Sequence, residues 1–170
     1  RLEGGPGSDG LRGNEGVDWY VFSAGFGVGD DFYDPAGHTI LDFGPAGDRL
    51  VGSIIDPAMK LTRFTSGTDA FTTREKFDAI YLSAHNDDVT IGDFGSRTFT
   101  ITDNGGRDVY RITAAAAAAS SQPDSVLEIV ERGVSDDEFI LTLNSQGLPI
   151  ELNPNQVVYS KRRINFDSGM

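Results

Sequence analysis

Gly4-Gly5-Pro6-Gly7-Ser8-Asp9-Gly10-Leu11-Arg12 runs directly into Gly13-Asn14-Glu15-Gly16-Val17-Asp18-Trp19-Tyr20-Val21. The two nonamers align position by position, with glycine first and fourth, aspartate sixth and a large apolar residue eighth. Self-similarity at a fixed spacing points to an architecture of stacked units before any single element does. The opening residues of each copy must turn sharply, and glycine reaches positive φ at little steric cost. Gly4, Gly5 and Gly7 meet that need in the first copy, Gly13 and Gly16 in the second. The last three residues of each copy make a short strand, whose alternation sends Leu11 and Tyr20 inward. A unit this small buries little alone and needs stacked neighbours.

The same turns carry a chemistry. A tight glycine turn points backbone carbonyls inward, Asp9 and Asp18 add a carboxylate at the end of each turn, and Glu15 adds a further acid. Calcium takes six to eight oxygens, from carboxylates and carbonyls alike, at about 2.3–2.6 Å. Gly4, Gly5, Gly7 and Asp9 in one turn, and Gly13, Glu15, Gly16 and Asp18 in the next, form the candidate ligand set for Ca2+. Asp30, preceded by Gly29, is the best additional carboxylate. A metal-free ladder of β-turns is the other reading of these residues. A phosphate loop is not supported: Gly25, Gly27 and Gly29 lack the Gly-x-Gly-x-x-Gly order, and no Gly-Lys-Ser/Thr occurs.

The nonamer pair resembles the RTX (repeats-in-toxin) modules of bacterial proteins exported by type I secretion. Gly25-Phe26-Gly27-Val28-Gly29-Asp30-Asp31-Phe32 looks like the segment that follows the last repeats of such modules. His38-Thr39-Ile40-Leu41-Asp42-Phe43, then Gly47-Asp48-Arg49-Leu50, is similar to their continuation, so the resemblance spans about the first fifty residues. It implies a calcium-binding parallel β-roll that folds on calcium after export, an extracellular location, the type I secretion apparatus as a partner and no catalysis. It also implies that successive turns lie on opposite edges, so that one ion is held by turns two repeats apart. The partner of residues 4–9 would then fall at 22–27, where there is no carboxylate. The chain opens on Arg1, which reads as the end of a longer roll. Export would use an uncleaved C-terminal signal, although Asp167-Ser168-Gly169-Met170 differs from the ending of secreted proteases of this class.

Composition sets outer bounds. The chain has 170 residues, a formal net charge of −12, 21 glycines and no cysteine. Such acidity argues against nucleic acid, which demands a basic face, and fits cation binding. Carboxylates crowded at turns repel one another until a divalent ion neutralises them. The absence of cysteine excludes a disulfide scaffold. No apolar run reaches membrane-spanning length, and no signal peptide is visible.

The expected fold is all-β: a short calcium-binding parallel β-roll followed by a β-rich sandwich or capping region. The expected division is residues 1–55 and 56–170, with one continuous roll capped by its later strands as the alternative. Strand patterns occur at 19–22, 38–43, 48–55, 60–65, 77–83, 88–93, 97–102, 108–113, 125–131, 138–143, 148–152 and 156–159. Hairpins are expected for 77–83 with 88–93, for 97–102 with 108–113 across Asp103-Asn104-Gly105-Gly106, and for 138–143 with 148–152. The alanine run at 114–119 reads as a short helix or a linker, and the tail from Ser160 as polar and frayed.

Other constellations are weaker. Asp30-Asp31, Asp87-Asp88 and Asp136-Asp137-Glu138 could pair as acid and base, yet neighbours in a strand face opposite sides and read as solvated turns. His38 and His85 are too few for zinc without cysteine, and His85 reads as a surface residue. Asp34-Pro35 and Asp56-Pro57 lie outside any self-cleaving pattern. Lys161-Arg162-Arg163 reads as a solvated end. Trp19, with Tyr20 and Phe22 inside, is left partly exposed and could stack on a sugar. The alternatives to a calcium module are an accessory module of an extracellular protease or polysaccharide-modifying enzyme, and an adhesin or surface-layer segment that binds carbohydrate or a surface partner.

Overall fold

The computed structural model describes residues 1–33, 38–44, 49–54, 61–92, 98–113, 126–132, 137–141, 150–153, 156–159 and 162–166. These are all-β, with no helix among them. The strands are β1 (Leu2–Glu3), β2 (Gly10–Arg12), β3 (Val17–Val21), β4 (Val28–Tyr33), β5 (His38–Asp42), β6 (Leu50–Ile54), β7 (Thr62–Ser66), β8 (Asp69–Thr73) and β9 (Ala79–Tyr81). They continue as β10 (Asp88–Ile91), β11 (Thr98–Asp103), β12 (Val109–Ile112), β13 (Val126–Glu131), β14 (Glu138–Leu141), β15 (Ile150–Asn153), β16 (Gln156–Tyr159) and β17 (Arg162–Phe166).

Two sheets share the strands. One is ordered β1-β3-β5-β9-β11-β13-β17-β16-β15, the other β14-β12-β10-β6-β7-β8-β4-β2. Apart from β6–β8 and β15–β17, successive strands therefore alternate between sheets and pair in parallel with a strand of the next winding: β3 with β5, β9 with β11, β11 with β13, β10 with β12. Leu11 and Tyr20, at the same place in the two nonamers, enter the core from opposite sheets. The ladders β5–β9, β4–β8 and β6–β10 join residues on both sides of position 55.

This winding corrects the three expected hairpins. β9 and β10, β11 and β12, and β14 and β15 each lie in different sheets. The turns at 82–87 and 104–108 carry the chain across the core rather than back along its neighbour. The tail is corrected too: β17 pairs in parallel with β13 and antiparallel with β16, so it belongs to the first sheet. The alanine run and both Asp-Pro bonds lie outside the described residues.

Of the two antiparallel interruptions among the described residues, β6–β8 and β15–β17, the first shapes the core. β6, β7 and β8 form an antiparallel meander set between β4 and β10, whereas the opposite sheet passes directly from β5 to β9. Large rings fill the space behind the wider sheet. Phe71 lies 4.6 Å from Phe22 and 6.0 Å from Phe43, and Phe43 lies 5.6 Å from Phe64, centroid to centroid. Beyond the meander the core becomes mainly aliphatic, with Ile80, Leu82, Val89, Ile91, Ile101, Leu127 and Ile129 all buried. Trp19 is half-buried and packs on Tyr81 at 4.9 Å on the outer face, while Tyr20 and Phe22 are buried, as the alternation predicts.

Candidate metal centre

Among the described residues, the turns that lead from the first sheet to the second lie along one edge, and an aspartate precedes most of the strands they enter. Asp9 precedes β2, Asp87 precedes β10, Asp108 precedes β12 and Asp137 precedes β14. Asp30 occupies the matching place inside β4. There a bulge between Val28 and Asp30, with Gly29 at φ 94°, leaves Val28 exposed and Asp30 buried.

Four of them, Asp30, Asp87, Asp108 and Asp137, take the same job toward the winding before. The Asp9 amide donates to Asp30 Oδ1 at 2.9 Å, across 21 residues. The Asp87 amide donates to Asp108 Oδ1 at 2.8 Å, again across 21 residues. The Asp108 amide donates to Asp137 Oδ1 at 2.9 Å, and the Leu50 amide to Asp87 Oδ1 at 2.7 Å. One carboxylate oxygen thus caps an orphan amide of the neighbouring turn, which leaves the second oxygen for another partner.

Glycine makes this stacking possible. Gly106 sits at φ 127°, and a Cβ there would lie 2.5 Å from the His85 carbonyl oxygen of the turn beneath. In the nonamers the carboxylates fold back over the first glycine. A Cβ on Gly4 would lie 2.7 Å from Asp9 Oδ2, and one on Gly13 would collide with Asp18 Oδ2. Asp9 Oδ2 and Asp18 Oδ2 are both buried and accept no hydrogen bond among the described residues. Such an oxygen costs about 1–3 kcal/mol unless something else satisfies it; a bound cation would do so.

The sequence-predicted ligands divide between the two edges. Gly4, Gly5, Gly7 and Asp9 share one edge with Asp30. The carboxylate partner of the first turn is therefore Asp30, beyond the stretch at 22–27 where the spacing places it. Gly13, Glu15, Gly16 and Asp18 lie on the opposite edge. There Asp18 faces Thr39 of β5, and Glu15 is exposed. Burial raises the Asp30 pKa; the Asp9 amide partly offsets this, and the charges of Asp9 and Asp69 push it further up.

The densest carboxylate group is one that the nonamers do not contain. Oxygens of Asp103, Asp108 and Asp137 all lie within 4.8 Å of one another. Asp103 and Asp108 are fully buried at the two ends of a turn, and the Tyr110 hydroxyl reaches Asp103 Oδ2 at 3.2 Å and Asp108 Oδ2 at 3.4 Å. Among the described residues neither carboxylate has a lysine or arginine at ion-pair distance. Two oxygens on opposite sides of one calcium ion stand about 4.8 Å apart, so the spacing suits a single ion.

Without a cation these groups hold protons more tightly than an ordinary aspartate. Burial pushes Asp87 up to about 6. Burial, with a hydrogen bond between the two carboxyls, leaves the Asp103–Asp108 pair titrating at about 6 and about 9. Burial and the neighbouring carboxylates also raise the Tyr110 phenol.

Asp87 was legible as a loop carboxylate, whereas Asp103 and Asp108 read as hairpin residues and Asp137 as solvated. The 21-residue interval from Asp9 to Asp30, repeated from Asp87 to Asp108, was the signal that could have found them. Asp87 and Asp88 split as neighbours in a strand should: Asp87 points inward, while Asp88 pairs outward with Arg111 through bonds of 3.0 and 2.9 Å. His85 is exposed. No family model, curated protein or solved structure matches the chain.

Proposed function

We propose that this chain is a non-catalytic, calcium-binding β-roll module of a secreted protein, which folds on calcium after export. The observation that carries this reading is the stack of inward carboxylates along one turn edge, with no lysine or arginine among the described residues at ion-pair distance from Asp103 or Asp108. A divalent ion would take the place of the shared proton, draw the carboxylates together and tie adjacent windings. Binding and folding would then be one free-energy event, because the unfolded chain has no preformed site. At a calcium concentration a hundred times the dissociation constant, each site contributes about 2.7 kcal/mol. The bacterial and extracellular setting and the type I secretion apparatus follow from the nonamer resemblance alone. The module would serve secretion, stabilisation or surface attachment.

Carboxylate variants test the reading at the nonamers. Asp9→Ala is expected to lower the calcium-dependent gain in unfolding free energy by about 2–3 kcal/mol, the loss of one saturated site. Asp18→Ala should lower it less, because Asp18 faces Thr39 rather than a second carboxylate. Glu128→Gln, on an outward strand position, should leave it unchanged. Urea denaturation with calcium and with chelator measures all three. Equal calcium responses in Asp9→Ala and Glu128→Gln would remove the first turn from the metal centre.

A further inference from the structure

The outer face of the second sheet holds a groove of about 380 Å3 across β10, β6 and β7. Two rows of side chains cross it. Asp88, Val51 and Thr65 face one another along one row, and Thr90, Ser53 and Arg63 along the next. Its volume falls within the range of small-molecule sites.

We propose that this groove binds a neutral oligosaccharide. The chemistry is mixed in the way a polyol requires. Arg63 can only donate and Asp88 can only accept, while the Ser53, Thr65 and Thr90 hydroxyls can do either. Val51 stands between them, 44% exposed, and offers an apolar patch to the C–H face of a sugar ring. Much of the polar capacity is unspent. Among the described residues the side chains of Arg63, Ser53 and Thr90 make no hydrogen bond, although Ser53 is only 7% exposed.

Asp88 is prepared rather than free. Arg111 grips it through two parallel bonds and Arg49 stands 4.0 Å away, so its carboxylate is fixed in place with lone pairs to spare. Vicinal hydroxyls could donate to Asp88 and accept from Arg63 across the groove. Arg111 and Arg49 already offset the Asp88 charge, and the −12 charge of the chain disfavours a carboxylate- or sulfate-bearing sugar at longer range. The groove lies on the outer face; Asp88 adjoins Asp87 of the carboxylate edge but points away from it, and the groove's chemistry does not depend on calcium.

The test is isothermal titration of the full chain, in calcium buffer and with its fold checked by circular dichroism. The probes are cellohexaose, maltohexaose, mannohexaose and chitohexaose, with hexagalacturonate as the acidic arm. Saturable binding of at least one neutral probe is expected. Arg63→Gln should weaken it about tenfold, the worth of one hydrogen bond to a charged group, and Thr90→Val should also weaken it. Thr98→Ala, exposed on the other sheet, should leave it unchanged. No binding of any neutral probe at millimolar concentration would overturn the proposal. So would tighter binding of hexagalacturonate, or equal affinity in wild type, Arg63→Gln and Thr90→Val.

Discussion

With calcium chelated, the protein is expected to be more stable at pH 5 than at pH 8, and saturating calcium is expected to abolish or reverse that order. The sign follows from protons bound. Asp87 titrates at about 6 and the Asp103–Asp108 pair at about 6 and about 9 in the fold, all above the 3.8 of an unperturbed aspartate. Between pH 4 and the folded values the native state therefore holds more protons than the unfolded chain. Stability then falls as pH rises, by about 1.4 kcal/mol per pH unit for each extra proton held. The fall is steepest between pH 4 and 6, where all three groups contribute, and continues to about pH 9 through the last proton of the pair. Calcium competes for the same oxygens and wins as protons leave, so its stabilisation grows over the same range. Urea denaturation at several pH values, with chelator and with calcium, measures both slopes. A chelated protein that gains stability from pH 5 to pH 8 would contradict the buried, uncompensated carboxylates described above.

The second large effect is expected from Asp108→Asn, which separates the structural role of this residue from its charge. An asparagine oxygen can still accept from the Asp87 amide, the 2.8 Å bond that links neighbouring turns. Its NH2 can donate to Asp103, as the shared proton does now. The variant removes one buried carboxylate from the Asp103–Asp108 pair, which has no lysine or arginine at ion-pair distance among the described residues. At pH 8 in chelator it should be more stable than wild type by about 1–3 kcal/mol. In calcium the ranking should invert, because a ligand oxygen with charge is gone. A thermal melt of both proteins in both buffers decides it. Loss of stability in chelator together with an undiminished calcium response would make Asp108 a turn-stacking residue and nothing more.

The sequence carried the unit of this fold but not its extent. Two nonamers placed Leu11 and Tyr20 inside, put Asp9 and Asp18 against their glycines and marked the windings at the start of the chain. Past Arg12 and Val21 the nonamer decays, while the winding continues at longer and unequal intervals. Residues 103–108 still turn on a glycine pair and end on an aspartate before an apolar strand, as residues 4–9 do. They read as a hairpin because a strand, a glycine turn and a strand look alike whether the chain reverses beside itself or crosses to another sheet. Alternation tells which face of Phe99 or Ile101 is buried, not which strand lies next to it. β17 was missed for a related reason: Arg162 and Arg163 look solvated, and only pairing with β13 and β16 makes their segment a strand. The Asp103–Asp108–Asp137 group needed the stacking itself, since two members close one turn and the third comes from the residue before β14, 29 residues on.

Calcium titration of chelator-treated protein at pH 7.5, followed by far-UV circular dichroism and melting temperature together, tests the central claim most directly. A saturable gain of β signal and a rise in melting temperature are predicted below millimolar calcium, with magnesium much weaker because it demands a smaller, octahedral site. An unchanged spectrum and an unchanged melting temperature up to several millimolar calcium would contradict it.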